Sequence, residues 1–145
     1  MRPGATSTDS PEIALWRGTT LHRDARASWR ARQATGLWLA DADPPVRSDA
    51  LQIVAELVTN VLQHVPGGRG RDWIGLRLGF GDGFVRLEVT DPGPPSPVPC
   101  FVPCQVGPSA ESGRGLGIVA CLSLRRGTHL LADGRRVVWA DVASG

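Results

Sequence analysis

The stretch "ELVTNVLQHV", residues 56–65, decides how the rest of the chain is read. Leu57, Val58, Val61, Leu62 and Val65 recur at helical spacing, which predicts a helix with a buried face. Glu56, Asn60 and His64 fall at i, i+4 and i+8, so they stack in one polar stripe on that helix. Gln52 and Gln63 lie near its edges. A solvated face is the simplest account of such a stripe on a helix taken alone. The rest of the chain decides whether a carboxylate and a carboxamide one turn apart do something more.

Composition narrows the classes. A chain of 145 residues with 41% hydrophobic and 21% charged residues suggests one domain with a real core. A formal charge of +2 is too small to argue for a nucleic-acid partner. All 16 basic residues are Arg, and there is no Lys. Walker-type phosphate loops and Schiff-base catalysis, which need a Lys, are therefore excluded. Cys100, Cys104 and Cys121 have no framework spacing, which fits a reducing cytoplasm, and C-x3-C without a second ligand pair argues against zinc. No apolar run approaches a membrane span and no signal-peptide core is present, so a cytoplasmic protein off the membrane is expected. The bias toward Ala, Arg, Gly and Pro suggests a GC-rich genome.

Outward from the quoted helix, the pattern gives an ordered set of elements. Residues 1–12 read as a loose tail and 13–145 as one domain. "IALWRGT", 13–19, reads as a short strand. Thr20 can cap a first helix to about Thr35, stopped at Gly36, with Leu21, Ala25 and Trp29 on one face. "DADPPV" reads as a loop, after which Ser48 caps a helix over about 49–65, ended by Pro66-Gly67-Gly68. "DWIGLRLGF", 72–80, and "FVRLEVTD", 84–91, alternate apolar and polar residues around the turn Gly81-Asp82-Gly83, which predicts a hairpin. A long segment rich in Pro, Gly and Ser follows, then "GRGLGIVACL", 113–122, which turns helical. "LSLRRGTHLLA" and "RRVVWADVA" flank Asp133-Gly134 as a last hairpin. This order predicts an α+β two-layer sandwich, a mostly antiparallel sheet with helices on one face.

Three segments stand out. The first is the Glu56/Asn60 helix: Mg²⁺ takes hard oxygen ligands, so an Asn carbonyl oxygen plus phosphates can hold it, and a Glu one turn away can accept a proton. The second is "TDPGPP", 90–95. Asp-Pro-Gly is ordinary turn chemistry, but Asp91 at a strand end can also accept a hydrogen bond from the amine of adenine, with Gly93 letting the base approach the backbone. The third is "SGRGLGIV", 112–119, a glycine loop feeding a helix N-terminus, which suits phosphates but also suits a plain turn.

Together, "ELVTNVLQHV", "VTDPGPP" and "SGRGLGIV" resemble the three boxes of the gyrase, chaperone, histidine-kinase and mismatch-repair ATPases, the Bergerat ATP-binding fold. The wording is closest to the stand-alone anti-sigma-factor serine/threonine kinases abundant in actinobacteria, and the resemblance covers roughly residues 13–142. It implies ATP and Mg²⁺ as cofactors, with Asn60 on the metal and Glu56 as general base. It also implies Asp91 on adenine, Gly93 beside the ring, and Gly113, Arg114, Gly115, Leu116 and Gly117 around the phosphates. Residues of about 94–112 would be a lid over ATP. The implied partners are a sigma factor and an anti-sigma-factor antagonist protein, the latter phosphorylated on Ser or Thr. Family analogues often act as homodimers.

One departure stands out. The family's first glycine box reads D-x-G-x-G, and here Pro95 replaces its second glycine. Proline fixes φ and lacks an N–H, so a stiffer lid hinge with one donor fewer is expected. A module that binds nucleotide or sequesters a partner without phosphorylating it is the competing expectation. A simple ATPase is a third. An autonomous histidine kinase is not expected, because no helix bearing a phosphoacceptor His precedes the domain.

Overall fold

The computed structural model describes residues 12–94 and 117–144. Residues 1–11 of the expected tail, Pro95, the lid from residue 95 onward, Cys100, Cys104 and the phosphate-loop residues Gly113, Arg114, Gly115 and Leu116 lie outside them. The described elements are β1 (Ile13–His22), α1 (Ala27–Trp38), α2 (Pro44–His64), β2 (Trp73–Gly81), β3 (Phe84–Asp91), β4 (Arg125–Leu130) and β5 (Arg136–Ala143). A further helical turn and a half spans 117–122. The five strands form one antiparallel sheet in the order β1-β2-β3-β5-β4. The architecture is the α+β sandwich that the element order predicts.

Side-chain alternation gives the sheet two different faces. Ile74, Leu76 and Leu78 of β2 share a face with Val85, Leu87 and Val89 of β3 and with Ala140 and Val142 of β5. All are buried, and they join Ile53, Val54, Leu57 and Val58 of α2 in one core. Helix α1 lies against β1 and β2, and α2 against β3 and β5. The opposite face carries no helix among the described residues. It is tiled by Arg–aromatic stacks: Arg77 lies 3.7 Å over Trp16, Arg86 lies 4.1 Å over Trp139 and Arg125 lies 4.9 Å over Phe84. Buried Asp141 joins two of these stacks, with Arg86 bidentate at 2.7 and 2.9 Å and Arg125 at 3.0 Å. That pairing raises Arg86 above its ordinary pKa, the hydrogen bonds to Asp141 being the first cause.

Both helices begin elsewhere than the sequence suggests. Thr20 is not a cap: β1 runs on to His22 because it pairs with β2 along its whole length, ending at His22↔Trp73. Leu21 enters the core from a strand, not from a helix. The α1 start is instead organised by Asp24, which accepts the Arg26 N–H at 2.8 Å and pairs with Arg30 at 2.9 Å. The buried face of α1 is Ala27, Ala31 and Thr35, so Trp29 stands 53% exposed. Gly36 does not stop the helix but sits within it, where α1 closes on Arg47 and Leu51 of α2. Helix α2 starts at Pro44, not near residue 49, and Ser48 is not its cap. Pro44 and Pro45 occupy its first turn, where a missing N–H costs nothing and the fixed φ is already helical. Its other end is held by Arg23, which donates to the carbonyls of Val61 and Leu62 at 3.3 and 3.1 Å.

Candidate nucleotide site

The second half of α2 crosses the sheet above β3 and β5, and a cavity of about 290 Å³ lies between them. Asn60 and His64 come from the helix, and Asp91 from the end of β3. Thr128 and Arg136 come from the last hairpin. Leu57, Val61, Val65 and Val138 supply apolar walls. The structure thus brings together Asn60 and Asp91, two candidates from different segments of the sequence.

Asp91 is 1% exposed. A buried carboxylate is costly unless its oxygens accept hydrogen bonds, and both do. Oδ1 accepts the Gly93 N–H at 2.6 Å, and Oδ2 accepts from Arg136 Nε at 3.3 Å. The first contact is the turn chemistry of Asp-Pro-Gly. Gly93 has a φ of 83°. A Cβ there would fall on the carbonyl oxygen of Gly134 in the β4–β5 turn. The glycine is therefore required by the neighbouring turn as well as by its own conformation. Arg71 donates to the carbonyls of Gly93 and Pro66, tying this turn to the end of α2.

Glu56 is placed differently. It lines a separate groove of about 490 Å³ between α1 and α2, with Arg32, Arg47, Ser48 and Gln52. Gly117 is exposed and opens the 117–122 helix, whose Val119 reaches the core. No cluster of three His, Cys, Asp or Glu suited to a metal exists among the described residues. Asn60 can supply a hard oxygen ligand, provided phosphates and water complete the shell.

A larger hollow of about 660 Å³ lies on the opposite face of the sheet, over Gly18, Gly75, Thr20 and Thr90. Arg77, Glu88, His129 and Arg135 also line it, and it holds neither Asn60 nor Asp91.

Arg136, Thr128 and Arg71 had not been singled out from the sequence. Arg136 carries a readable sign. It begins a strand whose inward positions continue as Val138, Ala140 and Val142, so an Arg stands on an apolar face. Thr128 and Arg71 carry none, since their roles depend on strand order and on the turn after α2.

Comparison with known proteins speaks for the family and the fold. The chain matches the model of the histidine kinase-like ATPase domain over residues 21–138. No curated protein matches it. Among solved structures it is similar to the RsbU and RsbW domains of Rv1364c from Mycobacterium tuberculosis, with a TM-score of 0.62 and 20% identity. That similarity covers 90% of this chain and 32% of the other, so the chain spans about a third of that protein's length. At this identity the likeness speaks for the fold. No described helix is long and apolar enough to cross a membrane. With a family match over most of its length, and with the fold in agreement, the chain belongs to the histidine kinase-like ATPase domain family.

Proposed function

We propose that this chain binds Mg-ATP in the cavity between α2 and the sheet, and transfers the γ-phosphoryl group to a Ser or Thr of an antagonist protein in a sigma-factor partner-switching circuit. The observation that carries the reading is the convergence of Asn60 and buried Asp91 on one apolar-walled cavity. A flat base would lie against Leu57, Val61 and Val138, and Asp91 would accept a hydrogen bond from its amine. Asn60 lies on the side of the cavity formed by α2 and would hold Mg²⁺. The metal, when bound, neutralises phosphate charge during an in-line transfer that depends mostly on positioning. Gly113, Arg114, Gly115, Leu116 and Gly117 would surround the phosphates, and Glu56 would take the proton of the attacking hydroxyl.

A second reading has specific support. Glu56 lines the groove between the helices rather than the cavity, and Pro95 stands where the family has a glycine. Both favour a module that binds nucleotide and sequesters a partner without transferring phosphate. Two substitutions separate the readings. Asn60→Ala should weaken binding and remove its Mg²⁺ dependence in either case. Glu56→Ala should leave Mg-ATP binding intact while lowering transfer to an antagonist by about 10²- to 10⁴-fold, the usual range for a general base. Transfer undetectable in the parent, with Mg-ATP bound, selects the binding module. No binding of Mg-ATP or Mg-ADP by the parent rejects both.

A further inference from the structure

We infer that the groove between α1 and α2 docks an acidic segment of the protein partner, with Arg32 and Arg47 reading its carboxylates and Glu56 fixing where an uncharged residue must lie. The inference rests on the protein-partner part of the proposed function and holds whether or not phosphate is transferred.

The two helices run antiparallel along the groove. Ser28 Oγ donates to the Ala55 carbonyl at 3.4 Å toward one end, and Gly36 meets Arg47 and Leu51 toward the other. Arg47 lies on α1 at that glycine. Its Nε donates to the Gly36 carbonyl at 3.4 Å, and a Cβ on residue 36 would come within 3.4 Å of its Nη2. This contact steadies the side chain and leaves its terminal N–H groups uncommitted. Arg32 is one turn before Gly36 on the same side of α1, about 6 Å along the axis, so the two guanidinium groups are neighbours. Both line the groove. Among the described residues neither has a carboxylate partner, although Asp43 stands at the start of α2 and Asp49 in its first turns. Helix α1 itself contains no acidic residue.

Like charges on facing helices repel, and an anion between them removes the repulsion. Guanidinium forks match carboxylates through paired N–H···O bonds. Ser48 and Gln52 add neutral hydrogen-bonding groups, and Leu51 and Ala55 add apolar surface. Trp29, 53% exposed, is one turn from Arg32 on α1. Trp and Arg are the residues most enriched at the energetic centres of protein interfaces. From Arg47 to Glu56 the groove follows α2 for about 14 Å, the reach of about four residues of extended chain. That length suits a peptide segment rather than a single small anion. Glu56 has no ion-pair partner among the described residues and would repel a carboxylate beside it. The segment therefore carries its charge at the Arg47 end and an uncharged donor, such as a Ser or Thr hydroxyl, at the Glu56 end. In the kinase reading that hydroxyl is the phosphoacceptor.

The test is an NMR titration of the isotope-labelled full chain, without nucleotide, with short peptides that place Glu-Asp about four extended residues from a Ser, made in both chain directions. The acidic peptide in one of these directions should shift the amides of α1 and α2 that border the groove. Its Gln-Asn counterpart should bind about tenfold more weakly or worse. Arg32→Gln and Arg47→Gln should each weaken binding about threefold, and together about tenfold, the scale of exposed ion pairs. Arg32 makes no hydrogen bond or ion pair among the described residues, so its variant tests the groove without disturbing the fold. Glu56→Gln should tighten binding of a peptide whose Ser is replaced by Glu. No shifts along the groove at millimolar acidic peptide overturn the inference. So does a Gln-Asn peptide that binds as well, a double arginine variant that binds like the parent, or a Glu56→Gln protein indifferent to the Ser-to-Glu exchange. Mg-ATP binding is measured separately by calorimetry. A chain that binds the peptide but no Mg-ATP keeps the docking groove and rejects the nucleotide reading, and the reverse result rejects the docking groove alone.

Discussion

Asp91 is held by two donors of different kinds, a backbone N–H inside its own turn and a guanidinium from another strand. Asp91→Asn keeps one acceptor but turns an N–H₂ toward either Gly93 N–H or Arg136. One donor then faces another in a buried site, which costs about 1–3 kcal/mol. We expect Asp91→Asn to lower stability by about that amount in denaturant unfolding, and to weaken Mg-ATP binding by about tenfold or more. Parental affinity in the variant would leave Asp91 a turn residue only. At this scale the sequence was partly legible. A carboxylate followed by Pro-Gly at a strand end stands out, and so do Glu56 and Asn60 on one helix. Arg136 was hidden, because its partnership with Asp91 exists only once β5 inserts next to β3. The separation of Glu56 from Asn60 into different hollows was hidden too. Helical spacing puts two residues on one stripe but does not say which neighbours that stripe meets along its length.

Elements were legible where alternation is strict and less so where a local signal competes with tertiary pairing. The β2–β3 hairpin falls where its apolar period and glycine turn place it, and the last hairpin falls about Asp133-Gly134. Thr20 shows the opposite case: its capping propensity loses to the pairing of nine residues of β1 with β2. Two predictions belong to this scale. Gly93 binds the β3 end to the β4–β5 turn, with a positive φ and the Gly134 carbonyl where a side chain would go. Gly93→Ala should destabilise the fold by about 2 kcal/mol or more, since strain and overlap coincide. A change within about 0.5 kcal/mol would show that this turn shifts freely. The other concerns the start of α1. The Arg30 side chain beside Asp24, and then the Arg26 N–H, hold the Asp24 carboxyl below its ordinary value. A depressed folded pKa means the contribution is present above the unfolded value, about 4, and is lost as pH falls through the folded one. Protection of the first-turn amides of α1, taken relative to the intrinsic exchange rate at each pH, should therefore fall on acidification below roughly pH 4. Asp24→Asn should lose this pH dependence of protection, and identical profiles for the two proteins would contradict the role of Asp24.

At the scale of the whole molecule, the sheet separates two kinds of chemistry. One face meets α1 and α2 and holds the core and the cavity. The other carries the Arg–aromatic stacks joined through Asp141. Asp141 is fully buried, with Arg86 nearly so and Arg125 about half exposed. Removing the carboxylate strands two guanidinium groups against each other on one face. Losing one member of a fully buried pair costs about 3–5 kcal/mol, and partial exposure of the arginines reduces that here. We expect Asp141→Asn to lose about 2–3 kcal/mol of stability. The Asp91–Asn60 cavity lies across the sheet, so Mg-nucleotide affinity at low temperature should stay within about twofold of the parent, because separated sites are close to additive. Saturating nucleotide gives the complementary measurement. A ligand at about 100 times its dissociation constant adds roughly 2.7 kcal/mol to the folded state. It should therefore return the variant's melting temperature, by several degrees, to near that of the ligand-free parent. If Asp141→Asn instead weakened nucleotide binding tenfold while barely changing the melt, the two faces would be coupled through the sheet. The open face would then belong to the site rather than to the scaffold.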